Sequence, residues 1–561
     1  MKYTFSYTKP HQHFIDIEYT IDNISTATIE VQLPAWRPGR YELGNFAKNI
    51  QQWNAFGGNG AELNFKKLTK DKWSIDTEGN KEVTIKYNYY SNELNAGSTY
   101  LDESQLYVNP VNCCLYIPER QNESCEIELQ IPSDYEVATG LKPIKGNGFL
   151  AKDFHTLVDC PFIASASLKH ESFDSKEVKF HLWIQGECEP NWEKIKTDFI
   201  AYTDLQIDVF GDFPVNEYHY LFHVLPYKAY HGVEHQNSTV ISIGPGKDLM
   251  KKKLYDEVLG VSCHELFHTW NVKAIRPIEM QPYNYAQENY SPLGYVAEGV
   301  TTYYGDLMLY RSGIFTETEF LKLLAQQVQR HLDNAARFNY SVAESSWDTW
   351  LDGYVPGVPN RKLSIYSDGC LLAFMVDSLT LQNTDNTKRL DDIMKLMYER
   401  FGKTGKGYSE SDYKKCIEEV SGLDFTAFFN NYVWGHNSYE KLLLECLKYV
   451  GLELITLPST QHHEAKFGFK IIGNRVTAVY QESTADKTGI SVGDIIERVN
   501  GREIASKLSH LLQEDFILLT IKNLGGTKDV TLQATEENFY PSYVLRSYKV
   551  LEAFKGTSNT A

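Results

Sequence analysis

The clearest chemical signal in this 561-residue chain is a pair of histidines spaced four residues apart. Residues 261–272 read VSCHELFHTWNV and contain an HExxH motif whose histidines are His264 and His268. On a helix, side chains at i and i+4 project from the same face, so both imidazoles can reach one ion. The carboxylate of Glu265 can hold a water molecule beside that ion. Two neutral imidazoles with a carboxylate as third ligand favour zinc, with a fourth position open to water.

Two helices are expected to position these groups. Apolar residues spaced along 254–261 lead into the motif and predict a helix there. Residues 295–308 (YVAEGVTTYYGDLM) predict another helix, with Glu298 near its start and 30 residues after His268. A His/His/Glu set with the glutamate on the following helix is the gluzincin arrangement. We therefore expect one zinc ion per chain, on His264, His268 and Glu298.

The metal hypothesis has a plain structural alternative. HExxH also occurs by chance in unrelated helices, and a helix start favours a carboxylate such as Glu298 through the helix dipole. If the site exists, Thr302 and Asp306 follow Glu298 by one and two turns, where side chains could orient the ligands.

Composition bounds the class of protein. Apolar residues make up 42% and charged residues 23%, which is a globular composition and excludes a mainly disordered chain. The formal net charge is −18 and no Lys/Arg-rich block is present, which excludes nucleic acid as a partner.

The apolar runs fall far short of about 18 residues, so no membrane span is expected. The nine cysteines form no CxxC pair and no signal segment is visible, so we expect a cytoplasmic protein, or a periplasmic one if a signal peptide was removed.

The chain divides into three parts and a tail. Residues 1–170 contain short alternating strands, such as FIDIEY at 14–19, which predict an antiparallel β-sandwich. No catalytic constellation is evident there. Residues 171–450 begin with strand patterns and continue with helical ones, residues 451–545 return to short strands, and residues 546–561 form a polar tail. The fold class predicted is a multidomain α+β protein with a mostly helical middle domain.

A segment before the HExxH motif resembles a strand of aminopeptidase N-type gluzincins. YHGVEHQNST at 230–239 is similar to their G-x-M-E-N strand, with Val233 in place of Met and His235 in place of Asn. The resemblance implies that Glu234 pairs with the free α-ammonium of a substrate, while His231 and His235 are wall residues. From the segment alone, a solvated loop glutamate remains the alternative.

A segment after the motif resembles the Y-x-K-G stretch of the same enzymes. SIYSDG at 364–369 places Tyr366 at the tyrosine position and Asp368 at the lysine position. The resemblance implies that the Tyr366 hydroxyl donates to the tetrahedral oxyanion. The alternative is a tyrosine at a helix start that only packs on the core.

Together these segments resemble the glycyl aminopeptidase family of gluzincins, whose members join a β domain, a thermolysin-like catalytic domain and a PDZ domain. The matching segments are HELFHTWNVKAIRP at 264–277, EGVTTYYGDL at 298–307, PAWRPGRYELGNFAKNI at 34–50 and ESSWDTW at 344–350. The resemblance implies the following site: His264, His268 and Glu298 on zinc, Glu265 as general base and acid, Tyr366 on the oxyanion and Glu234 on the amine. It also implies a preference for small N-terminal residues, Gly and Ala.

The C-terminal part resembles a PDZ core. ADKTGISVGDIIERVNG at 485–501 has the spacing of this core in proteases. Residues 467–469 (FGF) resemble the carboxylate-binding loop, which implies that Gly468 and Phe469 receive the C-terminus of a peptide. The alternative is a PDZ fold that binds no peptide and only packs on the catalytic domain.

The function expected is that of a zinc-dependent aminopeptidase acting on peptides with a free N-terminus. The first alternative is a zinc endopeptidase with the same centre, and Glu234 discriminates, because an endopeptidase has no use for an amine anchor. The second alternative is a non-catalytic scaffold that binds C-terminal tails through its PDZ domain. The intact HExxH motif, with Glu298 and Tyr366, argues against a scaffold.

Overall fold

The computed structural model describes residues 1–355, 357–504, 508–549 and 555, so most of the tail predicted at 546–561 lies outside the described residues. A β-rich N-terminal unit precedes a mostly helical middle unit, as the sequence predicted, and a smaller β unit follows. None of the helices in the described part of the chain combines the length and apolar character needed to span a bilayer.

The N-terminal unit consists of three sheets. Its elements are β1 (Lys2–Ser6), β2 (Phe14–Ile21), β3 (Thr28–Gln32), β4 (Ile50–Gly57), β5 (Phe65–Thr69), β6 (Lys72–Asp76), β7 (Val83–Tyr90), β8 (Tyr100–Leu101), β9 (Leu106–Val108), α1 (Pro110–Cys113), β10 (Cys125–Leu129), β11 (Glu136–Thr139), β12 (Lys142–Pro143), β13 (Gly148–Ala151), α2 (Phe154–Val158) and β14 (Phe162–Ser165). The sheet orders are β12-β13-β10-β1-β2-β7-β4, β11-β14-β9-β8 and β3-β6-β5. The pairs are antiparallel except β1 with β10, which run parallel.

The alternation of apolar and polar residues along these strands explains how they form a core. Along β2, Ile15, Ile17, Tyr19 and Ile21 are buried while the residues between them are more exposed. Successive side chains of a strand point to opposite faces, so one face of the sheet packs inward.

The middle unit begins with a five-stranded sheet and continues as a helical body. Its strands are β15 (Lys169–Ser175), β16 (Val178–Gln185), β17 (Glu217–Val224), β18 (Ala229–Glu234) and β19 (Ser238–Gly244). Its helices are α3 (Trp192–Phe210), α4 (Lys252–Phe267), α5 (Thr301–Arg311), α6 (Glu317–Asp333), α7 (Val342–Trp347), α8 (Thr349–Asp352), α9 (Ser367–Asn383), α10 (Leu390–Met397), α11 (Glu410–Ser421), α12 (Thr426–Phe428) and α13 (Glu440–Tyr449). The sheet order is β15-β16-β17-β19-β18, so β18 is an edge strand.

A close helix contact fixes the relative position of two segments that carry predicted site residues. A π-helical stretch (Tyr295–Val300) leads into α5 and packs on the start of α9. A Cβ added to Gly369 would lie 2.5 Å from the Tyr295 carbonyl oxygen, and one added to Gly299 would lie 2.3 Å from the Gly369 Cα. Only glycines allow the two backbones to approach this closely.

The C-terminal unit has a separate core and packs against α6. Its elements are β20 (Leu452–Leu457), α14 (His462–Phe467), β21 (Phe469–Ile472), β22 (Arg475–Val479), α15 (Thr484–Lys487), β23 (Ile495–Val499), β24 (Arg502–Glu503), α16 (Leu508–Leu511), β25 (Phe516–Asn523), β26 (Gly526–Gln533) and β27 (Ser542–Ser547). Strand β20 pairs with β27, and β21 to β26 form one sheet. Lys470 forms an ion pair with Asp333 at 2.6 Å, and Gln329 hydrogen-bonds the backbone of Pro541 and Tyr543.

Candidate active site

Three residues predicted as metal ligands lie together where α4 ends. His264 is on α4 and His268 directly follows it, with their Nε2 atoms 3.0 Å apart. The Glu298 Oε2 atom lies 3.7 Å from the His264 Nε2 atom and 3.4 Å from that of His268. Tetrahedral bonds to zinc of about 2.0–2.1 Å place ligand atoms about 3.4 Å apart, so this donor set fits a zinc ion.

Backbone and side-chain contacts orient the ligand His268. Its Nδ1 atom lies 2.7 Å from the Asn271 carbonyl oxygen, so Nδ1 donates and the Nε2 lone pair faces Glu298 and His264. The Thr301 Oγ1 atom is 3.5 Å from the same Nδ1 atom. Asn271 and Thr301 therefore orient His268, and Thr301 directly precedes the Thr302 that the helical spacing suggested.

The N-terminal unit contributes a side chain to this centre, which the sequence analysis missed. The Tyr41 hydroxyl donates to the Glu298 Oε1 atom at 3.3 Å, leaving Oε2 toward the histidines. The Tyr41 backbone N–H donates to the hydroxyl of Tyr354 at 3.0 Å. The signal available was the segment at 34–50, which matched a family signature but carries no recognisable catalytic pattern.

Glu265 is a buried carboxylate that faces the centre. Its Oε2 atom is buried without a hydrogen-bond partner among the described residues. Burial raises the pKa of Glu265 to about 8, with Glu234 and Glu298 adding to the rise and His268 opposing it. A Cβ added to Gly232 on β18 would lie 2.1 Å from the Glu265 Oε1 atom, so glycine makes room for this side chain.

Glu234 lies at the end of β18 and is buried rather than solvated. It is 7% exposed, and its carboxylate, the Glu265 carboxylate and an imidazole nitrogen of His268 lie within 4.8 Å of one another. A Cβ added to Gly39, whose φ is +76°, would lie 2.6 Å from the Glu234 Oε2 atom. The N-terminal unit therefore packs directly on the predicted amine anchor.

The two histidines beside Glu234 have different surroundings, His231 in a cleft and His235 buried against the N-terminal unit. Burial, together with Arg37 and Arg40, lowers the pKa of His231 to about 4, so its ring is neutral at physiological pH. The His235 Nδ1 atom lies 3.1 Å from the Asp159 Oδ1 atom, which joins the middle unit to the N-terminal unit.

Tyr366 immediately precedes α9, at the edge of the same centre. Although 38% of the residue is exposed, burial of its hydroxyl group, together with the Glu298 carboxylate, holds the pKa of that hydroxyl well above the usual value. The hydroxyl therefore stays protonated and can donate. Asp368, at the lysine position of the family pattern, accepts from the Ser364 N–H at 2.9 Å and contacts the His331 Nδ1 atom at 2.6 Å. These bonds fix the turn that presents Tyr366.

A second cluster of possible donors does not fit a metal ion. His181 and His219 stack with ring centroids 4.6 Å apart and planes 7° from parallel, and Glu217 lies near them. Lone pairs of imidazole lie in the ring plane, so two parallel stacked rings do not direct both toward one ion. The Trp183 indole N–H also donates to the His219 Nδ1 atom at 3.2 Å, which leaves the proton on the atom facing Glu217.

The two residues predicted for the carboxylate loop lie where α14 meets β21. Gly468, with φ of +78°, donates its N–H to the carbonyls of His463 and Glu464 at 3.1 and 3.2 Å. Phe469 is fully buried and pairs with Val479 across β21 and β22.

Comparisons with known proteins agree with this architecture. Family models match at residues 2–166, described as the Peptidase M61 N-terminal domain, and at residues 257–372, described as M61 glycyl aminopeptidase. An aminopeptidase N family protein from Idiomarina loihiensis has a TM-score of 0.90 and 26% identity, with 99% of each chain covered. A variant M1 zinc metallopeptidase from Deinococcus radiodurans, solved with a Tyr-Ser-Ala substrate, has a TM-score of 0.50 and 12% identity, covering 78% of this chain and 94% of that one. A search of curated proteins found no match.

The fold and the His/His/Glu centre define a zinc metallopeptidase of the aminopeptidase class. The chain belongs to the M61 glycyl aminopeptidase family. The resemblance seen in the sequence is thereby confirmed at the level of family and enzyme class.

Proposed function

We propose that this protein removes small N-terminal residues, Gly and Ala above all, from peptides with a free amino terminus. The observation that carries the proposal is the buried Glu234 carboxylate, close to both Glu265 and His268. A buried carboxylate requires a cationic partner. The α-ammonium of a peptide is such a partner, and its binding one residue from the scissile bond defines an exopeptidase.

In this proposal one zinc ion is held by His264, His268 and Glu298. The chemistry that a bound zinc ion supplies is polarisation of a carbonyl oxygen and acidification of water. Glu265 accepts a proton from the attacking water and delivers it to the leaving amine. A cation beside Glu265 favours its ionised form, which a proton acceptor needs. Tyr366 donates its O–H to the developing oxyanion, an interaction typically worth about 3 kcal/mol.

The preference for small residues is supported by the family model, which describes a glycyl aminopeptidase. The backbone at Gly39 packs against the Glu234 carboxylate, and Tyr41 packs against Glu298. Both belong to one segment of the N-terminal unit, so this segment forms a wall of the site near the amine.

Glu234→Ala with acetylated substrates tests the aminopeptidase proposal. The variant should lose about thirty- to several-thousand-fold in kcat/KM on Gly- and Ala-anilides, because losing one partner of a buried ion pair costs about 2–5 kcal/mol. Bound zinc should stay stoichiometric. N-acetylation of the substrate should reduce hydrolysis by the unchanged protein to a similar degree. Equal cleavage of acetylated and free substrates would favour the endopeptidase alternative.

We also propose that residues 451–545 form a PDZ domain, with the preceding boundaries at 170 and 450. The support is the sheet β21 to β26 and a cleft of about 630 Å³ beside β21, lined by Ile471, Leu508 and His463 among others. A peptide lying along β21 would add a strand to the sheet. Titration of the zinc-loaded protein with peptides ending in apolar residues, against their amidated forms, tests peptide binding by this domain. Binding of the free-acid forms alone is expected, and equal or absent binding would favour a domain that only packs on the catalytic unit.

A further inference from the structure

A cleft beside the proposed amine anchor holds a buried cation that the mechanism does not use. The cleft has a volume of about 530 Å³ and lies between the N-terminal unit and the edge strand β18. Arg37, Arg40 and Asn112 line it from the N-terminal unit, and His231 lines it from β18. His231 directly precedes Gly232, the residue that packs on Glu265.

Arg37 is a largely buried residue of this cleft, and few of its guanidinium N–H groups bond to the described residues. It is 6% exposed and donates one hydrogen bond within the described residues, from Nη1 to the Pro38 carbonyl oxygen at 3.2 Å. No carboxylate of the described residues forms an ion pair with it. A guanidinium carries five N–H donors, so most of those of Arg37 are available to a ligand in the cleft.

The surroundings of Arg37 are shaped to hold the guanidinium in place. A Cβ added to Gly97 would lie 2.2 Å from the Arg37 Cζ atom, so a glycine makes room for the group. His231, the imidazole in the same cleft, is neutral at physiological pH and adds no second positive charge beside Arg37.

Arg40 lines the same cleft but is already paired. Its Nη2 atom lies 2.7 Å from the Glu42 Oε2 atom, and its guanidinium stacks 3.7 Å over the Tyr354 ring. Of the two arginines, only Arg37 forms no ion pair with a carboxylate of the described residues.

We propose that Arg37 forms an anion subsite that binds a carboxylate of the peptide substrate, an inference that rests on the proposed aminopeptidase function. Arginine matches a carboxylate with two parallel hydrogen bonds. Arg37 and Glu234 are electrostatic neighbours, so the subsite begins close to the bound ammonium. Two extended residues span at most about 7 Å, so the second residue is the one whose carboxylate we test. Its source is either the α-carboxylate of a dipeptide or an acidic side chain at that position.

The test compares Gly-Ala, Gly-Ala-amide and Gly-Asp-amide with the zinc-loaded protein. A carboxylate on Arg37 should raise kcat/KM by roughly ten- to a hundred-fold over Gly-Ala-amide, the usual value of a charged hydrogen bond. A gain for Gly-Ala identifies the α-carboxylate, and a gain for Gly-Asp-amide identifies the side chain. Arg37→Gln should abolish the gain, whereas the matched variant Arg40→Gln should keep it.

Two results would overturn the subsite. One is equal kcat/KM for all three peptides with the unchanged protein. The other is an equal loss in Arg37→Gln on Gly-anilide and on the carboxylate-bearing peptides, which would mean that Arg37 acts only through Glu234.

Calorimetric binding of the same peptides to zinc-loaded Glu265→Gln repeats the comparison without turnover. Failure of the unchanged protein to cleave Gly-anilide would contradict the aminopeptidase function instead, and the binding series would still decide the subsite.

Discussion

Glu265 is expected to accept a proton without binding the metal, and one substitution can separate these two roles. It is adjacent to a ligand in sequence but is not part of the His/His/Glu set, so Glu265→Gln removes the proton acceptor and keeps the metal donors. We expect stoichiometric zinc and a loss of about 10²–10⁴-fold in kcat, the usual contribution of a general base. Metal analysis and kcat on Gly-anilide check this. Retained full activity, or loss of zinc, would contradict the assignment.

Tyr41 acts on the centre from another unit of the protein. Its hydroxyl holds one oxygen of Glu298, so Tyr41→Phe should leave that carboxylate free to rotate. Groups that orient a metal ligand typically contribute about 10–100-fold in metal affinity. Zinc dissociation constants measured by competition with a chelator should rise by that factor. Tyr90→Phe, which changes a tyrosine that is 40% exposed, is the control and should leave the affinity unchanged.

At the scale of elements, the close approach of β18 to α4 sets the position of Glu265. In Gly232→Ala the new Cβ would lie 2.1 Å from the Glu265 Oε1 atom and 2.8 Å from the Val261 Cγ2 atom. The Glu265 carboxylate or the strand must shift, and misplacement by about 1 Å costs about 10²-fold in rate. We expect such a fall in kcat with zinc retained.

Gly260→Ala is the matched control for this prediction. Gly260 lies on α4, and a Cβ added there meets no atom within 4 Å apart from the backbone of its own helix. Alanine favours a helix over glycine by about 1 kcal/mol, so this variant should be active and slightly more stable. Equal activity of the two variants would show that β18 does not constrain Glu265.

At the scale of the whole molecule, buried histidines at the junction of two units predict sensitivity to acid. His223 on β17 is 1% exposed and contacts Gln105 of the N-terminal unit at 3.1 Å. Burial lowers its pKa to about 3, whereas an unfolded histidine has a pKa of about 6.5. The unfolded chain therefore takes up the proton first, and stability present above pH 6.5 is lost as the pH falls toward 3.

The expected loss attributable to His223 between pH 7 and pH 5 is about 2 kcal/mol. Denaturant unfolding of the zinc-loaded protein at both pH values measures it. His223→Gln should reduce the difference in unfolding free energy between pH 7 and pH 5 by that amount, whereas replacement of the exposed His11 should not. An unchanged pH dependence in His223→Gln would contradict the prediction.

The sequence by itself determined the features that depend on local geometry. The i, i+4 spacing of His264 and His268 needs only a helix, and α4 supplies it at the predicted place. Alternating segments became strands, as in β2 and β10, because one face of each is apolar. The order of separate motifs also identified the family and class of enzyme, since each motif keeps its own local pattern.

Only the tertiary structure decided which distant residues meet at the centre. Tyr41 and Arg37 belong to a unit in which the sequence showed no catalytic pattern, yet Tyr41 contacts Glu298 and Arg37 is an electrostatic neighbour of Glu234. From the sequence, Glu234 could equally be an amine anchor or a solvated loop residue. In the structure it is buried, because β18 packs against the N-terminal unit. Burial, close approach and unpaired charge arise between segments far apart in the chain, where spacing carries no information.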